Sequence, residues 1–598
     1  MGLLHSITLA IVEATAAITS SPSPWCLNPN APAQPGMYGD LGSVDLIGPR
    51  GKAGQYHDVP ASVAPLWQQG LAHLWGFNHV EALRNFDACT QLEEECALCW
   101  WGRAAALAPN INYFIENQTV LNVAVSAAIA RVDAQPDLSA KTQHIIRSLS
   151  AFIQDPSTPD GANSTARRAY AQALCKPQPS GADADVDAMC SGAMMALTPW
   201  DYYVQPAPGA VGTLRAELVP AKAKLLGAAS KGRGGPDAPH GLAIHLLIHL
   251  LEPTDAPPDF KWEALPATHQ LFAGGGDGNG TALVPAQGHL THMPAHLFLR
   301  TGRYATGVQT SQRSVQNNRR YSMACLVPYG YGHNLKMQAA NARMAGMAAA
   351  ALEAARAAGA PEAGEERTPY GGTHCVDCAG TASPEAVLTL ARFGRWAAVL
   401  AEALPQGGWG EASFARYNEA GWHHARALAL YATGAVDAAD AAAARALAAA
   451  SNASLGGDGG FRGYLPALLH AEAAAARAWR VDANATAAAA ALRLAVAAVD
   501  DVPYIEPPRW YYPPRHCLGH VLLTRGSNAS EALRTFEADL LAFPENGWSL
   551  LGAANASAAL GDAAAAAEYT ERASVAWQFA DAPLSSPCPQ LSVSAEES

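Results

Sequence analysis

Six of the chain's 19 histidines lie in two short segments near the middle of the sequence: His240, His245, His249, His289, His292 and His296. Residues four apart share one face of a helix, so His245 and His249 are predicted to point the same way, with Glu252 about one turn further on. His292 and His296 repeat this spacing in the second segment. Two neighbouring helices that carry imidazoles on one face can form a transition-metal site inside an α-helical protein.

Imidazole nitrogens bind Zn, Cu and Fe, and the spacing leaves two arrangements open. In one, His245, His249 and Glu252 bind a Zn or Fe ion together with a histidine of the second segment. If the two helices are neighbours, His245, His249, His292 and His296 should converge within a few ångströms, with Glu252 at the edge. In the other, two clusters of three histidines hold paired ions, as in coupled copper sites. Glu252 is either a general base or the residue that orients a ligand histidine. If no metal binds, the histidines are packing residues with ordinary hydrogen bonds.

Three further polar residues are candidates for the same pocket. Asn110 and Asn112 lie in the turn P-N-I-N, where their amides cap backbone groups or line a pocket. Arg300 follows the second histidine segment, where it stabilises the end of a helix or binds an anion. These residues extend the predicted site beyond the histidines.

The elements that must position these side chains are helices in a repeating pattern. Gly70, Ala82 and Phe86 match the small, small and large positions of a 34-residue helix–turn–helix repeat, and Gly519 and Gly552 repeat a small residue 33 positions apart. Alanine-rich segments favour helix, and no alternating β pattern persists. The sequence therefore predicts an all-α protein, a right-handed superhelix of antiparallel helix pairs with degenerate repeats.

Six segments resemble a family of tetratricopeptide-repeat (TPR) proteins that is mostly bacterial and has no established activity: G-F-N-H-V-E-A (76–82), W-W-G-R-A (100–104), P-N-I-N (109–112), G-H-L-T-H-M-P-A-H (288–296), G-H-N (332–334) and Y-I-E-P-P-R-W-Y-Y-P-P-R (504–515). The resemblance covers nearly the whole chain beyond residue 60, and the histidine block is its most specific part. It implies one superhelix in which recurring histidines share a cavity: His79, His245, His249, His289, His292, His296 and His333. The alanine-rich stretches and the glycosylation sequons described below depart from the bacterial pattern.

Composition shifts divide the chain into five predicted parts. These are a signal segment (1–20), an extended arm rich in Pro and Gly (21–60), an N-terminal helical region with the histidine site (61–340), a C-terminal helical region (385–582) and a disordered tail (583–598).

Seven asparagines begin an N-x-S/T sequon, more than chance predicts: Asn117, Asn163, Asn279, Asn452, Asn484, Asn528 and Asn555. We therefore expect a glycoprotein that is secreted or lies in the endomembrane lumen, with Asn279 and Asn528 among the glycosylated sites. The alternative is a cytoplasmic protein in which Ser and Thr cluster in Asn-containing loops.

The 11 cysteines lie in loose groups. Cys175 and Cys190 bracket a polar insertion and are predicted to form a disulfide. Cys96 and Cys99 are expected to be packed or paired. The segment from Cys375 to Cys378 favours a local disulfide or free thiols over half of a zinc site.

The net charge of −13 and the absence of a basic stripe argue against nucleic-acid binding, and no apolar run is long enough to predict a transmembrane segment.

Two classes of function remain. The first is a metal-dependent enzyme, a hydrolase or an oxidoreductase, with Zn, Cu or Fe as cofactor. The second is a non-catalytic scaffold that binds a peptide or protein partner in its superhelical groove.

Overall fold

The structure is a computed structural model. It describes residues 32–39, 41, 58–157, 163–178, 181–204, 212–230, 240–253, 267–268, 271, 284, 286–359, 382–406, 408–409, 412–451, 461–502, 504–508, 510–582 and 584–591. Within these residues the protein is all-α, apart from one short antiparallel pair in which Tyr203–Val204 lies against Thr213–Leu214. The predicted signal segment, most of the arm, Cys375, Cys378 and the sequons at Asn279 and Asn452 lie outside the described residues.

The helices before the first histidine segment are α1 (Ala64–Trp75), α2 (His79–Leu92), α3 (Ala97–Leu107), α4 (Gln118–Ala134), α5 (Ala140–Ser148), α6 (Asn163–Leu174), α7 (Ala184–Met195) and α8 (Val219–Ser230). Two 3-10 turns accompany them, at Leu149–Phe152 and Ala216–Leu218. The histidine segments and the helices that follow them are α9 (Gly241–Leu251), α10 (Gly288–His292), α11 (Pro294–Arg300), α12 (Tyr304–Met323), α13 (Tyr331–Met344) and α14 (Ala348–Ala358).

The C-terminal helices are α15 (Glu385–Arg392), α16 (Trp396–Ala401), α17 (Ala412–Ala432), α18 (Val436–Ser451), α19 (Phe461–Arg480), α20 (Ala485–Asp500), α21 (Arg515–Thr524), α22 (Ala529–Ala542), α23 (Gly547–Ala559) and α24 (Ala563–Ala576). Most helices pack against the helix that follows them in the chain. No described helix combines the length and the apolarity that crossing a membrane requires.

The same side-chain arrangement holds neighbouring helices together near both ends of the chain. A Cβ atom added at Gly70 or Gly102 would lie 2.8 or 2.3 Å from the ring of Phe86. A Cβ atom at Gly519 or Gly552 would lie 2.4 or 2.3 Å from the ring of Phe536. In each case one phenyl ring fills the space that two glycines leave, so three successive helices pack closely.

The histidine segments lie where the N-terminal and C-terminal helices meet. One large hydrophobic core runs from Ala33 to Tyr329, and a second runs from Val387 to Leu591. Between them, the hydroxyl of Tyr304 donates to the carbonyl of Pro544 (2.7 Å), just beyond the end of α11. The C-terminal helices are therefore held against the end of the second histidine segment.

The predicted disordered tail is wrong for residues 584–591. Cys588 is fully buried and forms a disulfide with Cys517, and the indole N–H of Trp479 donates to the carbonyl of Leu591 (2.7 Å). A covalent link and buried side chains order a segment whose composition is typical of disorder. Residues 592–598 lie outside the described part of the chain.

The predicted disulfide between Cys175 and Cys190 is present. Cys99 is also paired, with Cys89, while Cys96 is a buried free thiol beside them. Burial raises the pKa of the Cys96 thiol to about 12, so it stays protonated at neutral pH.

Candidate metal centre

Helix α9 carries the first two histidines into the protein interior. All of its residues are buried, and apart from His245 and His249 every side chain in it is apolar or absent. The helix begins at His240, whose Nδ1 accepts a hydrogen bond from the backbone N–H of Ala243 (3.3 Å). The apolar sequence buries the helix on all sides, so its two imidazoles must find partners inside the protein.

The second segment forms two short helices that meet at Met293 and Pro294. Proline lacks the N–H that would continue a helical ladder, and α11 accordingly starts at Pro294. His289 and His292 lie on α10 and His296 lies on α11, and all three are buried. Helix α13 begins at Gly330 (φ 68°) and contributes His333 from its first turn.

The first cluster consists of His245, His249 and His289, which we call triad A. The Nε2 atom of His245 lies 3.1 Å from that of His249 and 3.2 Å from that of His289. Nitrogen ligands of a tetrahedral ion with bonds of about 2.0–2.1 Å lie roughly 3–3.5 Å apart. The Nε2 atom of His245 thus lies at the distance expected for ligands of one ion from both of the other Nε2 atoms.

The second cluster, triad B, consists of His292, His296 and His333. The Nε2 atom of His296 lies 2.6 Å from that of His292 and 3.4 Å from that of His333. The three residues present ligand atoms within 4.8 Å of one another, as do those of triad A. Each triad could hold one metal ion.

The two triads are neighbours. The ring centroids of His249 and His296 lie 5.5 Å apart, and those of His289 and His292 lie 5.7 Å apart. Within the described residues the histidines group as two sets of three, and a single ion held by His245, His249 and Glu252 with a histidine of the second segment stays a prediction. The fold brings a third histidine to each pair, from α10 and from α13, and so separates the pairs into two clusters.

Glu252 joins the two triads instead of lying at their edge. Its Oε1 atom accepts a hydrogen bond from His249 Nδ1 (2.8 Å), and its Oε2 atom accepts one from His296 Nδ1 (2.7 Å). Its side chain is 1% exposed. Of the two predicted roles of Glu252, this geometry fits the orientation of ligand histidines. A role as general base stays a prediction.

Glu506 is a second carboxylate of the site, which sequence reasoning missed. Its Oε2 atom lies 2.8 Å from His296 Nδ1 and 3.6 Å from His249 Nδ1. The residue belongs to the segment 504–515, which was quoted only for the family resemblance. The pattern Y-I-E-P-P is part of the family resemblance and was the available signal.

Hydrogen bonds at Nδ1 fix which nitrogen of each ring faces the centre of its triad. The backbone carbonyl of Trp75 accepts from His245 Nδ1 (2.6 Å), and Glu252 accepts from His249 and His296. With the proton on Nδ1, the Nε2 atom of each neutral ring offers its lone pair to a metal ion, and His249 and His296 would release the Nε2 proton when a metal binds. For His289 and His292, Nδ1 has no hydrogen-bond partner among the described residues.

Burial and neighbouring charges decide the protonation of the histidines. Burial, together with the neighbouring histidines, lowers the pKa of His245, His289 and His292 well below the ordinary value, so these rings are neutral. Burial also disfavours the charged form of His296, but Glu252 and Glu506 outweigh it and raise its pKa to about 10.

His249 resembles His296, since both are hydrogen-bonded to Glu252. Burial disfavours the charged form of His249, but Glu506 and Glu252 outweigh burial and raise its pKa. Conversely, His296 and His249 hold the pKa of Glu506 well below its usual range in spite of burial. The carboxylates of Glu252 and Glu506 therefore concentrate the negative charge of the site at the point where triads A and B meet.

The sequence matches no protein-family model and no curated protein. The chemistry assigned to this centre consequently rests on its own geometry.

Several residues predicted to share the pocket lie outside both triads. His79 donates from Nδ1 to the carbonyl of Ala106 (2.7 Å), and its Nε2 pairs with the Asn110 amide (2.9 Å), so both nitrogens are occupied. His240 donates from Nε2 to Asp185 (3.0 Å) and caps α9. The nitrogens of both histidines therefore serve local structure, and a cavity that His79 shares with the triads stays a prediction.

The two amides and Arg300 take structural positions around the centre. Asn110 Oδ1 accepts from the backbone N–H groups of Asn112 (2.7 Å) and Tyr113 (2.8 Å), which is the predicted capping role. Asn112 donates to the hydroxyl of Tyr329 (3.1 Å). The Arg300 guanidinium lies over the ring of Tyr504, 5.3 Å from its centroid.

Two aromatic residues with left-handed backbone angles lie against triad A and were not among the predicted site residues, although Phe77 belongs to the segment G-F-N-H-V-E-A. Phe77 (φ 57°) lies with its ring centroid 4.3 Å from that of His245 and stacked at 6.1 Å on His289. Trp200 (φ 67°) meets His249 edge-on at 5.0 Å. Bulky residues rarely adopt this backbone region, and such strained positions cluster at functional sites.

Proposed function

We propose that this protein is an oxidoreductase with a dinuclear copper centre, in which triads A and B each hold one ion. The observation that carries the proposal is the presence of two adjacent sets of three buried imidazoles, each with its ligand atoms within 4.8 Å of one another. The chemistry of a pair of ions differs from that of one ion, because a pair can store two electrons.

The donor set favours copper over zinc. Copper(II) binds nitrogen ligands more tightly than any other divalent ion of the first transition row. The ligands proposed here are six imidazoles, each of which would bind through an uncharged nitrogen and so leave the charge of the ions uncompensated within the first coordination sphere. An ion that alternates between +1 and +2 suits such a set better than one fixed at +2. Glu252 and Glu506 lie just outside the imidazoles and supply compensating negative charge.

A two-electron oxidation fits this arrangement. The substrate would lose two electrons and two protons. Dioxygen would accept these two electrons and two protons to give hydrogen peroxide, so that atoms and electrons balance. In this scheme the chain's own residues hold the ligands in place. Glu252 fixes His249 and His296 through Nδ1, and the carbonyl of Trp75 fixes His245.

The test is metal analysis of the purified protein combined with electron paramagnetic resonance. Two coppers per chain and a silent resonance spectrum in the oxidised state are expected, because neighbouring copper(II) ions couple magnetically. A protein that takes up two zinc ions in preference to copper would favour the hydrolase instead. A protein that binds neither metal would refute the metal centre itself.

We also propose that the helices form a right-handed TPR-like superhelix. The support is the sequential packing of helices together with the two matching phenyl–glycine contacts, at Phe86 and at Phe536. Small-angle scattering tests the overall shape, since a superhelix is longer than a globule of equal mass.

The proposed compartment is the secretory pathway. Four sequon asparagines are exposed: Asn117, Asn484, Asn528 and Asn555. Three of them (Asn117, Asn484 and Asn528) also cap helices through Oδ1. The Nδ2 atom of Asn528, the point of glycan attachment, donates to Glu531 (2.8 Å). Digestion of the native protein with an N-glycosidase should lower its mass, and an Asn528→Gln variant should show a smaller loss. An unchanged mass argues for the cytoplasmic alternative.

A further inference from the structure

A cavity of about 340 Å³ lies directly beside the centre, between the end of α11 and the C-terminal helices. Pro253 and Ile505 line it, and each is next in the chain to one of the two carboxylates, Glu252 and Glu506. Its volume falls in the range of small-molecule sites. The cavity is therefore placed to present a ligand to the centre.

Tyr504 forms the wall between the cavity and the metal centre. Its ring lines the cavity, while its hydroxyl donates to Glu506 Oε2 (3.3 Å). The same Oε2 atom lies 2.8 Å from His296 Nδ1. A ligand in the cavity would thus be separated from a triad B ring by one tyrosine and one carboxylate.

The walls of the cavity are flat and mostly aromatic. Trp510, Tyr511, Tyr512 and Phe543 line it together with Tyr504, and Pro508, Pro513 and Pro514 supply further rigid apolar surface. Flat aromatic walls favour a planar ring, which packs against them face-on or edge-on.

One positive charge in the cavity lacks a carboxylate partner. Arg343 pairs with Glu385 (2.8 Å), and Arg515 binds Asp500 through both guanidinium nitrogens (2.7 and 2.5 Å). Arg300 makes no ion pair with any described residue. Its guanidinium lies over Tyr504 (5.3 Å) and Phe543 (5.6 Å) instead.

We infer that the cavity binds an organic carboxylate with a planar aromatic body, with its carboxylate on Arg300. This assignment deepens the proposed function, and it rests on that function where it makes the ligand the substrate of the centre. The guanidinium lies over the rings of Tyr504 and Phe543, and its planar fork of N–H groups matches the two oxygens of a carboxylate. The aromatic walls then hold the ring.

The experiment uses the metal-free full chain, with benzoate as the probe and benzamide as its uncharged match. Binding is followed by isothermal titration calorimetry and by tryptophan fluorescence, to which Trp510 contributes. Benzoate should bind saturably and at least about 10-fold more tightly than benzamide, because only the former makes charge-assisted bonds to Arg300. Arg300→Gln should weaken benzoate binding by about 10- to 100-fold and leave benzamide nearly unchanged.

Arg320→Gln is the matched control. It removes the same charge from an exposed position near the end of α12, so benzoate should bind it as it binds the wild type. Equal affinities for benzoate and benzamide in the wild type would overturn the inference, and so would an Arg300→Gln variant that binds benzoate normally. If circular dichroism shows that Arg300→Gln does not fold, the inference is still tested by the affinities of the wild type for benzoate and for benzamide.

Metal uptake is measured on the same preparations, which separates the two proposals. Two bound coppers without benzoate binding would leave the proposed function standing and refute the cavity assignment. Benzoate binding that depends on Arg300, in a protein that takes up no metal, would refute the dinuclear centre and retain the cavity as an anion site.

Discussion

The Nε2 atoms of His292 and His296 lie 2.6 Å apart in the interior of the protein. Burial keeps His292 neutral, while Glu252 and Glu506 favour the protonated form of His296, so the Nε2–H of His296 donates to the lone pair of His292 Nε2. A metal cation bound by both nitrogens would take the place of that proton. The same argument applies to His245 and His249 in triad A, at 3.1 Å.

The first prediction concerns the number of ions. The wild type should bind two transition-metal ions per chain, and His289→Ala or His333→Ala should reduce this to about one, because each variant removes one of three ligands from a different triad. Elemental analysis of the dialysed proteins gives the count. His520→Ala, which alters a histidine outside both triads, should retain two ions. Loss of both ions in either triad variant would instead indicate that neither triad binds without the other.

The second prediction concerns Glu252. Glu252→Gln should weaken metal binding by about 10- to 100-fold, because an amide has one oxygen and can accept from the Nδ1–H of only one of the two histidines it now holds. Competition with a chelator of known affinity measures the change. The matched control is Glu472→Gln, a buried carboxylate that binds His424 (2.9 Å) away from the triads, and its metal affinity should equal that of the wild type. If Glu252→Gln binds metal as tightly as the wild type does, Glu252 does not orient the ligand histidines.

The spacing of four residues was enough to predict that His245 and His249 share a face, and likewise His292 and His296. It could not predict which third histidine completes each pair. That depends on how α10 and α13 pack against α9 and α11, and such packing is a property of the tertiary structure. Glu506 was missed for the same reason, since its partners are distant in the chain.

The helical fold was predictable for a different reason. Alanine-rich segments favour helix, and small and large residues at regular spacing indicate contacts between neighbouring helices. Both signals depend on residues that are close to one another in the sequence. The packing of residues 584–591 was not predictable, because one buried disulfide, Cys517–Cys588, overrides a composition typical of disorder.

The third prediction tests the contact between glycine and phenylalanine. Gly552→Ala should lower the free energy of unfolding by about 1–3 kcal/mol, because its Cβ atom would lie 2.3 Å from the buried ring of Phe536 and one side must shift. Gly227→Ala is the control. An added Cβ there meets no atom within 4 Å, so the better helix propensity of alanine should raise stability by up to about 1 kcal/mol. Urea denaturation followed by circular dichroism measures both changes, and equal effects at the two positions would contradict the packing argument.

The last prediction concerns the C-terminal segment. The disulfide between Cys517 and Cys588 closes a loop with a sequence separation of 71 residues, whereas that between Cys175 and Cys190 closes one of 15. In the chain-entropy account, a longer loop constrains the unfolded chain more, with about 4 kcal/mol expected for the first bond and about 3 kcal/mol for the second. Cys588→Ser should therefore destabilise the protein at least as much as Cys175→Ser.

The Cys588→Ser variant should also release residues 584–591, since the buried cysteine and the bond from Trp479 to Leu591 hold them in place. Limited proteolysis followed by mass spectrometry should then show early cleavage near the C-terminus in Cys588→Ser and not in Cys175→Ser. Resistance of this segment in both variants would show that packing alone holds it against the C-terminal helices.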